Sequence, residues 1–174
     1  LGASTSEAQE NVALIIAEQV ADFLDKGVVN NAVNVPSVSD DILAKVGPYL
    51  SLGEMLGCLH MQVAQGGVQE VHIEYRGGLG DLNTTPVTVA FLKGLFLPIL
   101  KDAVNYVNAP LIAKERGIRV VEAKSDSGDN FLNSLSVRVE TSDGTNTLVG
   151  TVFEKNEPRL VRLNSFRLEA MMSG

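Results

Sequence analysis

The spacing of apolar positions changes along the chain, from a helical repeat in the first two thirds to a two-residue repeat in the last third. Over residues 4–25 apolar side chains recur every three or four positions, which predicts an amphipathic helix. Further stretches with helical patterns span residues 48–64, 85–105 and 110–116. In the third stretch, Thr85 before Pro86 predicts an N-cap, and Pro98 predicts a kink.

Strand patterns surround and follow these helices. Residues 68–75 alternate between apolar and charged positions, as expected for a half-buried strand. Strands are also predicted at residues 119–124, 134–141, 148–154 and 159–163, with 166–171 as an extension of the last. The turn sequence Ser142-Asp143-Gly144 separates two of them. The order predicts an α+β fold, in which an N-terminal helix is followed by a mostly antiparallel sheet with helices packed on one face.

A domain boundary is predicted near Pro36. Residues 28–35 are rich in β-branched side chains and asparagine, which favours an extended crossing segment before the proline. We therefore expect one domain piece at residues 1–36 and a second domain at residues 37–174.

Composition narrows the function classes. The 174 residues are 45% hydrophobic and 20% charged, which is typical of a folded globular protein. The formal net charge of -7 disfavours a nucleic-acid partner, because phosphate backbones attract clustered lysine and arginine. The most hydrophobic stretch, residues 86–107, is interrupted by Lys93, Lys101 and Asp102, so we expect no membrane span.

Several kinds of chemistry are not expected from the sequence. Cys58 is the only cysteine, and neither His60 nor His72 has a second ligand at metal-binding spacing, so no disulfide and no metal site are predicted. Cys58 and His60 lie on different sides of a helix, which favours an inert thiol and a structural histidine. Glycines follow the first strand at positions 77, 78 and 80, but they do not complete a dinucleotide-binding fingerprint. We predict no catalytic residue and no cofactor in this chain.

A basic cluster near the end of the chain is the one candidate site. Its members are Lys155, Arg159, Arg162 and Arg167. Residues of the helical stretches that could join them are Lys93, Lys101, Lys114 and Arg116. Guanidinium groups bind phosphate and carboxylate in a bidentate manner, so the cluster predicts a small phosphorylated or carboxylated anion as ligand. The alternative is a salt-bridged, solvated exterior of the strands.

Two segments resemble D-3-phosphoglycerate dehydrogenases of the long form. The first runs from Leu1-Gly-Ala-Ser-Thr-Ser-Glu-Ala-Gln to Val29-Asn-Asn-Ala-Val-Asn-Val-Pro36, and is similar to the end of their substrate domain. The second contains Leu92-Lys-Gly-Leu, Val104-Asn-Tyr-Val-Asn-Ala-Pro110 and Ala113-Lys-Glu-Arg-Gly-Ile118, and is similar to their intervening domain. A related domain in iron–sulfur L-serine dehydratases is called an allosteric substrate-binding domain.

The resemblance implies a cytoplasmic parent enzyme that oxidises 3-phosphoglycerate with NAD in serine biosynthesis. It also implies that the catalytic histidine, the NAD site and the serine-binding ACT domain lie outside these residues, so that the chain alone is inactive. In this family the last strands of the domain are thought to bind anions at a subunit contact, where Arg159 and Arg167 align. The expected role is therefore regulation and homo-oligomerisation.

Three alternatives and one further expectation remain open at this stage. The chain could be a passive dimerisation domain, or the regulatory domain of an L-serine dehydratase, and its basic cluster could be a plain surface. The apolar stripe of the first helix should pack on a nucleotide domain in the parent. We therefore expect this helix, taken alone, to pair with another copy of the chain or to dock on its own sheet.

Overall fold

The fold was derived from a computed structural model, which describes residues 5–26, 40–126 and 131–172. The chain divides into two compact units, Leu1–Ser37 and Val38–Gly174. In the first unit, helix α1 (Ser6–Lys26) begins after Thr5, whose hydroxyl accepts a 3.2 Å hydrogen bond from the Ala8 amide. The extended segment expected at residues 28–35, and the boundary at Pro36, lie outside the described residues. The assignment of residues 1–36 to a substrate domain stays a prediction.

The second unit combines helices with a six-stranded sheet. Its helices are α2 (Asp40–Val63), α3 (Thr85–Leu100) and α4 (Ala109–Glu115), with short 3-10 turns at Lys101–Ala103 and Glu154–Asn156. Its strands are β1 (Val68–Gly77), β2 (Arg119–Ser125), β3 (Asn133–Thr141), β4 (Gly144–Phe153), β5 (Glu157–Leu163) and β6 (Phe166–Met171). The predicted α+β class, with a mostly antiparallel sheet, is confirmed.

The sheet has the strand order β2-β1-β3-β4-β5-β6. Among the strands that the structure describes, only β1 and β2 are parallel to each other, because α3 and α4 form the long crossover that such a pair requires. The other neighbouring pairs are antiparallel. Two tight turns connect the last strands: the predicted turn at Ser142-Asp143, and one at Asn164-Ser165 in which Asn164 has a φ of 52°.

One face of the sheet packs against the helices. Val71, Ile73 and Tyr75 of β1 are fully or almost fully buried on this face, as their alternation with charged residues predicted. Leu52 of α2 covers β4 so closely that a Cβ on Gly150 would lie 2.6 Å from a Leu52 methyl carbon. Other members of the core cluster lie on α2, α3, β3 and β4, among them Leu56, Phe91, Leu95, Leu135, Val137, Val139 and Leu148.

The structure corrects the bounds of several predicted elements. Helix α2 begins at Asp40, eight residues before the predicted start, and contains Pro48. Val46 and Tyr49, on either side of this proline, are buried in the core, and this packing outweighs the lost backbone hydrogen bond. Residues 166–171 do not extend β5. They turn back through Asn164-Ser165 as the separate edge strand β6.

Both ends of α3 also differ from the prediction. Its N-cap is Thr84, and Thr85 is already the first helical residue. The helix ends at Leu100 and not near Asn105, because Lys101 has a φ of 49°, which is incompatible with continued right-handed helix.

Candidate functional site

The three predicted arginines lie on the sheet face that points away from the helices, which we call the open face. A Cβ on Gly150 would point at Leu52 of α2, so the side chain of the neighbouring residue Val149 points to the opposite face. Arg162 lies opposite Val149 in the β4–β5 register, and Arg167 lies opposite Arg162 in the β5–β6 register. The β5–β6 hairpin therefore gathers these arginines on one face at the edge of the sheet.

Arg159 is held by acidic neighbours. Its guanidinium donates a 2.6 Å hydrogen bond to Glu157 and lies 3.5 Å from a carboxylate oxygen of Glu169. The same group stacks on the Phe153 ring, 5.6 Å from its centroid, and the side chain is only 19% exposed. These contacts make Arg159 a structural cation of the hairpin, so less of its charge is available to a ligand.

Arg162 and Arg167 form the accessible part of the cluster. Arg162 is half-buried and Arg167 is exposed. Within the part of the chain that the structure describes, Arg167 makes no ion pair. The two residues are directly opposite each other on neighbouring strands, so their guanidinium groups are within reach of one small anion. The side chain of Lys155 lies outside the described residues, so its part in the cluster stays a prediction.

The basic residues of the helical layer do not join the cluster. Lys93 and Arg116 pack on the opposite side of the sheet, where Lys93 bonds Glu54 at 2.7 Å and Arg116 stacks on the Phe96 ring at 5.4 Å. Lys101 and Lys114 are exposed in the same layer. The expectation that these four could contribute is wrong, because they lie on the helix side of the sheet and the three arginines lie on the open face.

The Cys58–His60 pair has no catalytic geometry. Burial first, and the nearby Glu54 carboxylate second, raise the pKa of the Cys58 thiol and keep it protonated. Burial lowers the pKa of His60 from 6.5 to about 4, although its Nε2 donates a 3.2 Å hydrogen bond to the Val137 carbonyl. His60 is thus a neutral core residue that packs edge-on against Phe91. No group of metal-ligating side chains occurs among the described residues.

Sequence reasoning missed a polar cluster in the helical layer. Glu54 accepts hydrogen bonds from Lys93 at 2.7 Å and from the Tyr106 hydroxyl at 2.8 Å, and the Lys93 ammonium lies 4.5 Å from the Tyr106 ring centroid. Burial, followed by the Glu54 carboxylate, raises the pKa of Tyr106. Lys93 and Tyr106 lie 39 and 52 positions after Glu54, so no local spacing in the sequence predicts their contact.

Two cavities open on opposite faces of the sheet. A groove of about 720 Å³ runs between α2 and the β5–β6 edge, and its walls include Met55, Cys58 and Met172. A smaller cavity of about 330 Å³ lies on the open face above β1, β3 and β4. Neither cavity was predicted. No helix among the described residues is long and apolar enough to cross a membrane.

Comparison with known proteins places this fold in a family. A family model described as "D-3-phosphoglycerate dehydrogenase intervening domain" matches residues 45–164. A D-3-phosphoglycerate dehydrogenase of Synechocystis is 40% identical over 95% of this chain and 30% of its own length. Those of Methanocaldococcus jannaschii and Bacillus subtilis are 38% and 37% identical, over 99% and 100% of this chain.

The chain spans about a third of the length of these relatives, which are named as dehydrogenases and not as dehydratases. The family match covers all the strands from β1 to β5 and the helices packed on them. The resemblance seen in the sequence is thereby confirmed: the chain belongs to the family of the D-3-phosphoglycerate dehydrogenase intervening domain.

Proposed function

We propose that this chain is the regulatory and oligomerisation part of an NAD-dependent D-3-phosphoglycerate dehydrogenase, and that its β5–β6 hairpin binds a small phosphorylated or carboxylated anion. The parent enzyme oxidises 3-phosphoglycerate in L-serine biosynthesis. Its dinucleotide site and catalytic residues lie outside this chain, which is inactive alone. The names of the relatives support the parent activity.

The observation that carries the anion proposal is the Arg162–Arg167 pair. The two residues are direct cross-strand neighbours on the open face, and Arg167 is exposed without an ion pair to any described residue. Two guanidinium groups at this separation offer several N–H donors to one phosphate or carboxylate group. Arg159 lies three residues before Arg162 on β5 and is bonded to Glu157 and Glu169, so these two carboxylates have a basic partner of their own.

Regulation follows from differential affinity. The pair lies on the edge strand of the sheet, where a neighbouring domain or a second copy of the chain can approach it. An anion that contacts both arginines in one arrangement of the domains binds that arrangement more tightly and raises its population. The resulting change in activity is limited by the difference in the anion's affinity for the two arrangements. The homo-oligomer is part of this proposal, because a second chain would supply the arrangement that the anion selects.

Calorimetric titration tests the site. We expect 3-phosphoglycerate and inorganic phosphate to release heat on binding to the chain, and an Arg162→Gln, Arg167→Gln variant to release less heat, by the share that comes from the hairpin. Arg119→Gln is the matched control, since Arg119 is an exposed arginine on the opposite edge strand β2, where it bonds Glu70 at 2.9 Å. Equal heats from the double variant and the wild type would refute the hairpin site.

A separate assay tests the inactive state of the chain. The isolated polypeptide should show no NADH formation when it is mixed with NAD and 3-phosphoglycerate, and no tight dinucleotide binding. Turnover in this assay would overturn the claim that the chemistry lies elsewhere in the parent.

The pairing of Arg159 favours a second candidate function, a passive dimerisation domain. An arginine already bonded to two carboxylates is typical of a structural surface. Light scattering separates the two functions: a passive domain forms the same oligomer with and without phosphate, whereas a regulatory one changes its mass or its dissociation constant when phosphate is added.

A further inference from the structure

The cavity on the open face is built around one row of side chains. His72 of β1, Arg138 of β3 and Thr147 of β4 are direct neighbours in the strand register. Cβ atoms of directly opposite residues lie about 5 Å apart, so these three polar groups converge over a distance that one small ligand can span. The polar lining of the 330 Å³ cavity consists of His72, Glu74, Arg76, Ser136, Arg138 and Thr147.

Ser136 forms part of the floor of this cavity. It is 8% exposed, and its hydroxyl has no hydrogen-bond partner among the residues that the structure describes. The Thr147 hydroxyl, in the neighbouring position on β4, also bonds to no described residue, although its backbone amide is bonded to Asn164. A hydroxyl group donates one hydrogen bond and accepts others, so both side chains are available to a ligand in the cavity.

The carboxylates beside the cavity have basic partners. The lining holds Arg76, Arg138 and Glu74. Glu74 is already bonded to Arg76 at 2.7 Å. Arg138 bonds Glu140 at 2.9 Å through one nitrogen, is 47% exposed, and keeps further N–H donors available. Glu70, which precedes His72 by two residues on β1, is also paired, because it bonds both His72 and Arg119.

We infer that this cavity is a second small-anion site, in which one carboxylate or phosphate group is bound by the Arg138 guanidinium and by the hydroxyls of Ser136 and Thr147. The site is distinct from the β5–β6 hairpin, because none of its lining residues belongs to β5 or β6. It needs no residue outside β1, β2, β3 and β4, so its occupancy does not depend on the hairpin arginines.

The inference is tested on the 174-residue chain by two-dimensional amide NMR spectra and calorimetry. The probes are inorganic phosphate and glycolate, which separate a phosphate source from a carboxylate source. We expect at least one of them to shift the amides of Ser136, Val137 and Arg138. Arg138→Gln should weaken this binding about tenfold or more, because it removes charge-assisted hydrogen bonds. Ser136→Ala should weaken it several-fold without altering the charge.

Two controls separate this site from its surroundings. Lys114→Gln removes an exposed cation from the helical layer, away from the cavity, and should leave the β3 shifts unchanged. The Arg162→Gln, Arg167→Gln variant should abolish shifts on the β5–β6 hairpin and keep those on β3, so failure of one site is visible apart from the other. Absence of β3 shifts with both probes, or equal affinity in Arg138→Gln, Ser136→Ala and the wild type, would overturn the inference.

Discussion

Gly94 of α3 lies against Glu54 of α2 at a point where a Cβ on the glycine would stand 2.0 Å from the Glu54 carbonyl oxygen. The contact is reciprocal, since a Cβ on Gly57 of α2 would stand 2.2 Å from the carbonyl oxygen of Phe91. The two helices can approach this closely only because both positions lack a side chain. The same approach brings Lys93, next to Gly94, within 2.7 Å of the Glu54 carboxylate.

Gly94→Ala should therefore destabilise the domain. The added methyl group meets backbone, which cannot rotate away, so we expect a loss of about 1–3 kcal/mol in the free energy of unfolding, despite the better helix propensity of alanine. Urea denaturation measures the change. Gly67→Ala is the control, because a Cβ there meets nothing within 4 Å, and it should change stability by less than about 0.5 kcal/mol. Equal effects would contradict the close helix contact.

His60 should make the domain sensitive to mild acid. Burial holds its folded-state pKa at about 4, against 6.5 when it is exposed, so below pH 6.5 the unfolded chain takes up a proton that the folded chain refuses. Stability attributable to His60 is complete above pH 6.5 and declines as the pH falls toward 4. Between pH 7 and pH 5 the expected loss is about 2 kcal/mol. Urea denaturation at the two pH values measures it.

The matched variant for this test is His60→Leu, which places an apolar side chain that does not titrate at a fully buried position. Other titrating groups contribute equally to both proteins, so the difference between their pH dependences isolates His60. We expect the variant to lose about 2 kcal/mol less than the wild type between pH 7 and pH 5. Identical slopes would show that His60 is not the acid-sensitive group.

Thr88→Val should destabilise the domain, because the Thr88 hydroxyl of α3 bonds one side chain on β1 and one on β2. The Thr88 hydroxyl shares a 2.6 Å hydrogen bond with the Tyr75 hydroxyl and donates one of 2.6 Å to Glu122. Tyr75 is fully buried and keeps only a longer, 3.2 Å bond to the Thr84 carbonyl when Thr88 is replaced. We expect a loss of about 1–2 kcal/mol in urea denaturation.

A double-mutant cycle with Tyr75→Phe tests whether the two hydroxyls act together. If they do, the double variant should be more stable than the sum of the single losses predicts, by about 0.5–1.5 kcal/mol. Additive losses would mean that Thr88 contributes through Glu122 alone.

Most of the fold was predictable because burial on one face imposes a period on the sequence. The alternation of Val71, Ile73 and Tyr75 with charged residues located β1, and Gly117, with a φ of 71°, marked the end of α4. The early start of α2 was not predictable from local signals. Pro48 suggested a helix N-terminus, and only the tertiary packing of Val46 and Tyr49 shows why the helix continues through it.

The candidate site was only partly predictable, because charge pairing depends on strand register. A basic cluster of Arg159, Arg162 and Arg167 was predicted because these residues are close together along the chain. It could not show that Arg159 bonds Glu157 and Glu169 while Arg162 faces Arg167. The row of His72, Arg138 and Thr147 joins three strands whose pairing no local pattern specifies, so the cavity above it was invisible in the sequence.

Replacement of Arg159 should destabilise the domain more than replacement of Arg167. Arg159→Ala removes the partner of Glu157 and Glu169 and the cation above Phe153, from a side chain that is only 19% exposed, so we expect a loss of about 1 kcal/mol or more. Most of this loss should persist at high salt, because shielded pairs are screened less than exposed ones. Arg167→Ala removes an exposed arginine without an ion pair to a described residue, and should change stability by less than about 0.5 kcal/mol. Urea midpoints for both variants, at low and high salt, measure the difference. If Arg167→Ala proves as costly as Arg159→Ala, Arg167 has a structural role, and the case for an anion at the Arg162–Arg167 pair fails with it.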